Sequence, residues 1–440
     1  MDFSSKIRQH PVAFLMATAL LLRLCWFVYI LSVSPNGFML ADSAGYMQIA
    51  ENLASGNSYS MSTAPPYYPD VFRTPVLPAL YLFCGQQLII FILLQIGISL
   101  LTVYFTWKLT QCITPLFWVS FTAALLVASD IPSIVFSNLV MTETLFTLFT
   151  IAAFYYMMKA SGEKTMKYFL ISSLLFGFAA LTRPIGIFLP VFFLPVIILI
   201  LKKRKTGFVK GIISFLFPWS VLCGTWMARN YFLFGSFFFS HIGNFNLVYF
   251  TAGTIRSQAE HISLNEARLQ LFEEAAEKME VSPYENPDKF WGNARNVGLH
   301  EISKHPGIFI SNAAKANFRL FFYPMSGYVN YPQTGKNPHY SWEKTKLFTV
   351  THVLIIIQLL IIVFYSAGIL FHLLSLFRKN TPKFTSFVLF WILFYFSLTG
   401  TGPEMEARFR IPLIPVLAIL SALGWKFILQ SYKKRRKPLQ

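Results

Sequence analysis

The sequence predicts an all-α polytopic membrane protein with about ten transmembrane helices, amphipathic helices on the outer surface and a helical outer segment between spans seven and eight. Of its 440 residues, 55% are hydrophobic, 17% are aromatic and only 13% are charged, whereas soluble domains carry about 25% charged residues. Long apolar runs also recur along the chain. Each can cross the roughly 30 Å hydrocarbon core of a bilayer at about 20 residues per span.

Ten apolar runs supply the predicted spans. The first is too long for a cleaved signal peptide and lacks a small-residue cleavage site. The runs divide the chain into an N-terminal membrane module, 1–228, an extracytoplasmic helical segment, 229–346, and a C-terminal membrane module, 347–440. The predicted spans are 11–33, 87–107, 116–130, 137–158, 167–182, 185–201, 209–228, 347–376, 384–400 and 411–430.

The positions of the basic residues predict the orientation of these spans. Lys and Arg number 37 against 19 Asp and Glu, for a net charge of +18. Since short cytoplasmic loops retain Lys and Arg, the basic connections should face the cytoplasm, which places both termini there. The clusters occupy every second connection: Lys6 and Arg8; Lys108; Lys159, Lys164 and Lys167; Lys202, Lys203, Arg204, Lys205 and Lys210; Arg378, Lys379 and Lys383; and 433–437.

This charge does not predict a nucleic-acid partner, because the basic residues are spread over separate loops and no binding module accompanies them. Membrane lipids are the expected contact for these loops. No Asn-x-Ser/Thr sequon occurs in the chain. Its absence favours a bacterial plasma (inner) membrane and a role in the cell envelope.

Cysteines and histidines predict no metal site. The cysteines are scattered, and three fall within or beside apolar runs, so we expect no disulfide and no Cys-ligated metal. His241, His300 and His305 are expected to be surface or satisfied histidines rather than metal or substrate ligands. No cofactor is assigned, and a bound divalent metal stays an open alternative. The cysteines are Cys25, Cys84, Cys112 and Cys223.

Three segments, 34–86, 229–346 and 399–410, lie outside the predicted spans on the outer side. In the second, "SLNEARLQLFEEAAEKM" begins with the capping-box spacing of Ser263 and Glu266 and repeats apolar residues at helical intervals. Another amphipathic helix is predicted over roughly 288–304. The two apolar faces consist of Leu264, Ala267, Leu271, Ala275 and Met279, and of Trp291, Ala294, Val297 and Ile302.

The first outer segment contains "DSAGYMQIAENLASG", which predicts a short helix on the membrane surface. Its apolar face consists of Tyr46, Ile49, Ala50 and Leu53. Asp42 stands at the start of this helix. One interpretation makes Asp42 an N-cap that accepts from the first free N–H groups, and the other makes it a general base. The two interpretations are compatible.

Acids and arginines recur at the predicted outer ends of the spans. Arg73 lies in a proline-rich turn that fixes the approach of the chain to the membrane. Singly, each charge could reach the interface or pair with another. Together they predict an outer cavity in which guanidinium groups suit a phosphate and carboxylates suit a hydroxyl or a sugar. The other members are Glu143, Arg183, Arg229, Glu406, Arg408 and Arg410.

Arg23 differs from these residues because it lies near the middle of the first span, in "LLRLC". A charge at this depth is costly in contact with lipid. We therefore expect Arg23 to face protein and to bind a carboxylate or a carbonyl of the bundle.

The order of these motifs resembles the C-type glycosyltransferases, membrane-integral enzymes that use polyprenyl-phosphate sugars, in the branch of the aminoarabinose transferases and protein O-mannosyltransferases. The resemblance covers roughly 10–250 and 400–424. The stretches that carry it are "LLRLCW", "ADSAGYMQIAENLASG", "FRTPVLPALYLF", "LLQIGISLLTVYF", "NLVMTETLFTLF", "ALTRPIGIFLP", "WMARNYFLFGSFFFSHIGN" and "EARFRIPLIPVLAILSALG". Their order and their places in the topology carry the likeness, and no single stretch is specific.

The resemblance implies roles for particular residues. Asp42 matches the catalytic base of the first outer loop, and Tyr46 matches the tyrosine one helical turn later. Arg73 and Glu143 match an arginine of the proline-rich turn and an acid of the fourth span. Arg408 matches the arginine before the last span.

The chain also departs from this branch. Protein O-mannosyltransferases carry a pair of acids after the first span, whereas here Ser43 follows Asp42. Aminoarabinose transferases add further spans and a C-terminal outer domain that have no counterpart in this sequence. These departures leave the acceptor and any metal open.

The reaction implied is transfer of a hexosyl or pentosyl unit from a polyprenyl-phosphate donor to an acceptor hydroxyl on the outer face, with inversion. A leaving phosphate is stabilised by guanidinium groups without protonation, so one carboxylate suffices for the hydroxyl proton. We expect Arg408, Arg73 and Arg229 to bind the phosphate and Glu143 to contact the sugar. The acceptor, a lipid, a protein or a glycan, would be selected by the helices within 263–304.

Two other classes stay open. A transporter or flippase of a lipid-linked precursor would also need intramembrane charges. Transporters, however, place such charges near the midplane and have little mass outside. A non-catalytic assembly protein of the same fold would not depend on the carboxylate of Asp42.

Overall fold

The computed structural model describes residues 7–163, 165–204, 207–277, 284, 286–335, 350–378, 383–400, 402 and 406–435. These residues form helices joined by turns, with no β-strand among them, so the predicted all-α class is confirmed. Some predictions lie outside the described residues. They concern Lys6, Lys164, Lys205, Met279, Lys379, 336–346, 401, 403–405 and 436–437.

The α-helices are numbered in chain order over the described residues. The first eleven are α1 (Pro11–Val33), α2 (Ala41–Ala54), α3 (Val76–Phe83), α4 (Leu88–Ile113), α5 (Phe117–Ala128), α6 (Ile131–Phe136), α7 (Glu143–Gly162), α8 (Lys167–Thr182), α9 (Leu189–Phe192), α10 (Leu194–Arg204) and α11 (Phe208–Phe234). The next six are α12 (Ile242–Asn246), α13 (Gly253–Glu260), α14 (Leu264–Glu277), α15 (Pro287–Lys304), α16 (Pro306–Phe322) and α17 (Ser326–Thr334). The last three are α18 (Val350–Ser375), α19 (Lys383–Thr399) and α20 (Ile414–Arg435).

Six helical stretches in the described part of the chain are long and apolar enough to cross a membrane. They are Pro11–Val33, Leu88–Ile113, Pro184–Lys203, Phe208–Phe234, His352–Ser375 and Ala407–Tyr432. The apolar helices α5, α8 and α19 are shorter, and α7 stands where the remaining span was predicted. The chain is an integral membrane protein, and its count of about ten spans stays a prediction.

The helices α7 and α20 lie inside the bundle. Most side chains of α7 are buried, and it packs against α4 and α8. The core of the Ala407–Tyr432 span is 78% buried, against 28% for α1. The 3₁₀ turn Ala407–Leu413, which leads into α20, packs against α7. The start of α7 and the turn before α20 therefore meet inside the bundle, and they carry Glu143 and Arg408.

Residues 137–142, predicted as the start of a span, form an irregular buried segment before α7. Side chains from other helices bind its backbone: Gln95 donates to the carbonyl of Leu139, and Ser43 donates to the carbonyl of Val140 at 2.9 Å. Buried backbone groups need such partners when no helix supplies them. The predicted start of the span at 137 was wrong as a helix start, because the helix begins at Glu143. The apolar run does not reveal the non-local hydrogen bonds that hold 137–142.

The predicted span over 185–201 is divided into the 3₁₀ turn Pro184–Phe188, α9 and α10. Pro190 and Pro195 each stand second in a helix, where the missing N–H costs no hydrogen bond. The prolines therefore set the points at which the helix begins again.

The two amphipathic helices predicted after α11 are present as α14 and α15. Oγ of Ser263 accepts from the N–H of Glu266 at 3.2 Å, as the capping spacing predicts. The apolar faces join in one outer core, against which Val71 and Phe72 of the first outer segment pack. The members of the outer core are Val248, Ala252, Leu271, Ala275, Phe290, Trp291, Ala294 and Val297.

Candidate active site

Asp42 lies in the first turn of α2 and faces Arg408. Oδ2 of Asp42 is 3.4 Å from Nη1 of Arg408, and the two side chains are 50% and 18% exposed. The positive end of the α2 dipole adds to the arginine in favouring an anion at this position. Asp42 is therefore an accessible carboxylate with a guanidinium beside it.

Asp42 is not the N-cap of α2, which corrects one of the two interpretations of its position. The N-cap is Leu40, and the helix begins at Ala41. Ser43 closes the first turn instead, since its Oγ accepts from the N–H of Leu40 at 2.8 Å and donates to the Val140 carbonyl at 2.9 Å. The buried hydroxyl explains why a serine follows Asp42, because a carboxylate could not donate to that carbonyl.

Glu143 and Arg183 form a buried ion pair at the adjacent ends of α7 and α8. Oε1 of Glu143 is 2.5 Å from Nη1 of Arg183, and the side chains are 1% and 15% exposed. The same guanidinium donates to Oγ1 of Thr142 at 3.0 Å. Oε2 of Glu143 has no hydrogen-bond partner among the described residues. An unpaired buried carboxylate oxygen is costly, so this atom suits a ligand hydroxyl.

Arg73 is held in a turn by Asp70. Oδ1 of Asp70 accepts from the N–H groups of Phe72 at 2.9 Å and Arg73 at 2.6 Å, and its Oδ2 is 3.5 Å from Nη1 of Arg73. The guanidinium lies over the ring of Tyr46, 5.2 Å from its centre, and against the sulfur of Met61. Nε of Arg73 has no hydrogen-bond partner in the described part of the chain. The side chain is fixed in place and still has a free donor.

Tyr46 lies among the charges of the site. Burial raises the pKa of Tyr46 to about 12; among nearby charges, Arg73 and Arg183 lower it, whereas Asp42 and Glu143 raise it. The phenol therefore stays protonated at neutral pH and is an O–H donor. These electrostatic interactions also show that the structure brings the five residues into one neighbourhood.

Glu406 joins the same neighbourhood through Tyr328 of α17. The hydroxyl of Tyr328 donates to Oε2 of Glu406 at 2.7 Å. Burial raises the pKa of Tyr328, which the charge of Arg408 lowers and those of Glu406 and Glu143 raise. A residue of the outer segment thus contributes to the site beside Arg408.

Arg229 and Arg410 point to other partners. Nη1 of Arg229 donates to the carbonyl of Asp70 at 3.3 Å and to Oδ1 of Asn230 at 2.7 Å. Nη1 of the buried Arg410 donates to two carbonyls in the last turn of α16, at 3.2 and 3.0 Å. Arg229 therefore supports the Arg73 turn, and Arg410 caps α16.

Arg23 faces protein, as predicted from its place in the first span. Its side chain is fully buried, and it donates to Oγ of Ser99 at 2.7 Å and to the carbonyls of Ala19 and Ala128 at 3.1 and 2.9 Å. Carbonyls and a hydroxyl, rather than a carboxylate, therefore hold this intramembrane charge.

No group of three His, Cys, Asp or Glu in the described ranges is placed to hold a metal ion. The carboxylates of Asp42 and Glu143 face arginines. His241 lies away from them, with Nε2 3.6 Å from Oδ1 of Asp288, and burial lowers its pKa to about 4. The donors and acceptors of the site thus suit an anion and hydroxyl groups.

Sequence reasoning did not select Asp70, Ser43, Gly45 or Tyr328. Asp70 accepts from the N–H two residues on, that of Phe72, which is an Asx turn that could have been recognised. A Cβ at Gly45 would lie 2.7 Å from Nη2 of Arg73, so the guanidinium keeps this position only beside a glycine. Such a close approach has no signal in a single sequence.

Known proteins share part of this sequence and the fold of the chain. Residues 78–223 match the family model for dolichyl-phosphate-mannose-protein mannosyltransferase, a stretch that includes Glu143 and Arg183. The oligosaccharyltransferase of Archaeoglobus fulgidus in its apo form matches 98% of this chain with a TM-score of 0.54 at 13% identity. The chain has the fold of this oligosaccharyltransferase. The resemblance drawn from the sequence is thereby confirmed.

Two further structures define the extent of this likeness. AglB from Archaeoglobus fulgidus, in complex with an inhibitory peptide and a dolichol-phosphate, matches 98% of this chain with a TM-score of 0.53 at 13% identity. This chain spans about half of these proteins, 52% of either one. ArnT from Cupriavidus metallidurans, bound to undecaprenyl phosphate, matches 94% of this chain and 77% of its own, but its TM-score of 0.36 at 15% identity supports no argument. No curated protein matches significantly in sequence.

Proposed function

We propose that the chain is a glycosyltransferase that moves a hexosyl or pentosyl unit from a polyprenyl-phosphate donor to an acceptor hydroxyl, with inversion at the anomeric carbon. The observation that carries the proposal is the Asp42–Arg408 pair, an accessible carboxylate 3.4 Å from a guanidinium. Arg408 lies in the 3₁₀ turn that leads into α20 and packs against α7. The shared fold and the family match over 78–223 support the same reaction class.

In this proposal Asp42 is the general base. It takes the proton of the acceptor hydroxyl while that oxygen forms a bond to the anomeric carbon. The bond from this carbon to the phosphate oxygen breaks, and the polyprenyl phosphate leaves with the electron pair. Attack from the face opposite the phosphate inverts the anomeric carbon. One carboxylate is enough because arginines stabilise the leaving anion without protonating it.

Arg408 and Arg73 are the proposed phosphate ligands. Nε of each has no hydrogen-bond partner among the described residues, and the guanidinium fork matches phosphate oxygens. We assign Arg229, expected from the sequence to be a third ligand, to the support of the Arg73 turn because it donates to the Asp70 backbone. Arg410 is assigned to the cap of α16.

Glu143 and Tyr46 are the proposed sugar contacts. Oε2 of Glu143 accepts a hydrogen bond from a sugar hydroxyl, and the protonated Tyr46 donates one to an oxygen of the sugar or the phosphate. Arg183 holds the carboxylate of Glu143 in place through the 2.5 Å pair. A neutral hexose or pentose with a free hydroxyl fits this set of groups.

The proposed location is a bacterial plasma membrane, with both termini in the cytoplasm and the site on the outer face. The alternating basic loops support this orientation. In a variant without native cysteines, an impermeant thiol reagent should label Gly292→Cys in intact cells and Arg378→Cys only after the membrane is opened. The reverse order of labelling would overturn the orientation.

The first experiment is transfer from a panel of labelled polyprenyl-phosphate sugars by the purified protein, with mannose and a protein acceptor tried first. Asp42→Asn should lose at least about 100-fold in rate. Glu51→Gln is the matched control, because Glu51 is an exposed acid of the same helix. Equal release of polyprenyl phosphate by the wild type and Asp42→Asn would refute the base. Lipid-phosphate binding without release by either would instead favour a transporter or flippase.

A further inference from the structure

We infer that the outer segment positions the phosphate ligand Arg73, so that Ser240 and Trp291 set the affinity for the lipid phosphate without touching it. This inference rests on the proposed function, because it assumes that Arg73 binds the donor phosphate. Both residues lie outside the groups assigned to the reaction and act through the turn at 70–73.

The turn itself is rigid on the side of Asp70. The Asp70 side chain is 1% exposed and binds the N–H groups of Phe72 and Arg73 through one oxygen, at 2.9 and 2.6 Å. Arg229 binds the carbonyl of Asp70 at 3.3 Å. The backbone at Arg73 is therefore rigid relative to Asp70, and the turn moves as a unit with the residues that bind it.

The outer segment holds this backbone at two further points. Oγ of Ser240 donates to the carbonyl of Phe72 at 2.6 Å, and the N–H of His241 donates to the carbonyl of Val71 at 3.0 Å. Partly buried hydrogen bonds of this kind fix a loop because losing one leaves a carbonyl unpaired. The two bonds come from a segment that follows α11, more than 160 residues along the chain.

The ring of Phe72 is packed into the outer core. It meets Trp291 edge-on, with the ring centres 5.1 Å apart, and lies 5.8 Å from the ring of Phe245. Trp291 is 7% exposed and also contacts Phe272 of α14. The position of α15 relative to α14 is therefore coupled to the position of Phe72, one residue before Arg73.

The opposite side of Arg73 meets the helix that carries Asp42. Its guanidinium lies over Tyr46 and so close to Gly45 that a Cβ there would be 2.7 Å away. The turn thus lies between the outer core and α2, and a shift of the outer core moves the guanidinium against α2. By linkage, an acceptor that binds the outer helices and shifts them would change donor affinity, and the donor would change acceptor affinity equally.

The test measures the dissociation constant of undecaprenyl phosphate for the full-length protein in nanodiscs. Ser240→Ala removes one part-buried hydrogen bond and should weaken binding about three- to tenfold. Ser303→Ala is the matched control, because among the described residues the hydroxyl of Ser303 bonds within α15, to the His300 carbonyl, and binding should be unchanged. Arg73→Ala gives the loss expected when the ligand itself is removed.

A second pair of variants separates positioning from simple destabilisation. Trp291→Ala should weaken binding about tenfold, and Trp291→Phe should restore most of it because an aromatic ring again meets Phe72. Leu271→Ala opens a cavity in the same outer core and should lower the thermal midpoint with a much smaller effect on binding.

The outcomes distinguish this inference from the proposed function. Weaker binding by Ser240→Ala and Trp291→Ala, with Ser303→Ala and Leu271→Ala near the wild type, supports it. Normal binding by Ser240→Ala and Trp291→Ala alongside weak binding by Arg73→Ala overturns the positioning and leaves the proposed function intact. No binding by the wild type, or no effect of Arg73→Ala, overturns the assignment of Arg73 and the inference with it.

Discussion

Two clusters of arginine and carboxylate side chains in this protein have opposite characters. In the outer segment, Arg256 binds Glu274 at 2.5 Å and Glu301 at 2.7 Å, with Glu260 at 3.8 Å. An atom there that lacks a hydrogen bond still faces an opposite charge, as Nε of Arg256 faces Oε1 of Glu260 at 3.8 Å. Every charge in this cluster is thus compensated by the protein.

The candidate active site is not compensated in this way. Among the described residues, Arg408 has one ion-pair partner, Asp42 at 3.4 Å, and that acid is half exposed. Nε of Arg408, Nε of Arg73 and Oε2 of Glu143 have no hydrogen-bond partner within the described residues. Residue types alone therefore do not distinguish a structural network from a binding site. The hydrogen bonds of these groups do, because groups that must bind a ligand keep a donor or acceptor without a partner in the protein.

The largest expected effect tests this difference with the same substitution in both clusters. Arg256→Gln should lower the free energy of unfolding by about 3 kcal/mol, because the buried Glu301 loses the guanidinium at 2.7 Å and keeps only the part-exposed Lys304 and His305, at 3.6 and 3.7 Å. Arg408→Gln should cost at most about 1 kcal/mol, since its partner is half exposed, and should reduce sugar transfer at least about 100-fold. Thermal unfolding and donor turnover of both variants check this. Equal losses of stability would remove the distinction.

The next effect concerns Glu143 and Arg183, a pair as buried as the outer cluster but located at the site. Glu143→Gln and Arg183→Gln should each cost about 3 kcal/mol of stability. The double variant should recover about 1–3 kcal/mol of the summed loss, since no charge is left unpaired. Transfer activity should stay low in all three variants because Glu143 is proposed to bind the sugar. Recovery of activity in the double variant would make the pair purely structural.

Gly45→Ala should have an intermediate effect. The added Cβ would lie 2.7 Å from Nη2 of Arg73 and 2.8 Å from the sulfur of Met61, so the guanidinium must move. We expect about tenfold weaker binding of undecaprenyl phosphate. Gly292→Ala in α15 is the control, because a Cβ there meets nothing within 4 Å and should add helix stability. Similar binding by both variants would show that Arg73 need not occupy its place over α2.

The sequence predicts the bounds of individual helices better than it predicts which side chains meet in the site. The helices α1, α8 and α15 lie within a residue of their predicted bounds, because periodicity, capping and proline signals are local. Asp42 and Arg408, by contrast, are 366 positions apart, and no pattern in one sequence pairs them. Arg408 and Arg410 stand in the same motif, yet the 3₁₀ turn directs one to Asp42 and the other to the end of α16.

The smallest expected effect isolates the role of the Asp42–Arg408 pair. If Arg408 is a phosphate ligand, the carboxylate of Asp42 competes with the donor phosphate for the same guanidinium. Asp42→Asn should then abolish transfer and yet bind undecaprenyl phosphate about threefold more tightly, because a screened, half-exposed ion pair contributes well under 1 kcal/mol. Glu51→Gln on the same helix should leave binding unchanged. Unchanged or weaker binding by Asp42→Asn would mean that the phosphate and the carboxylate use Arg408 together.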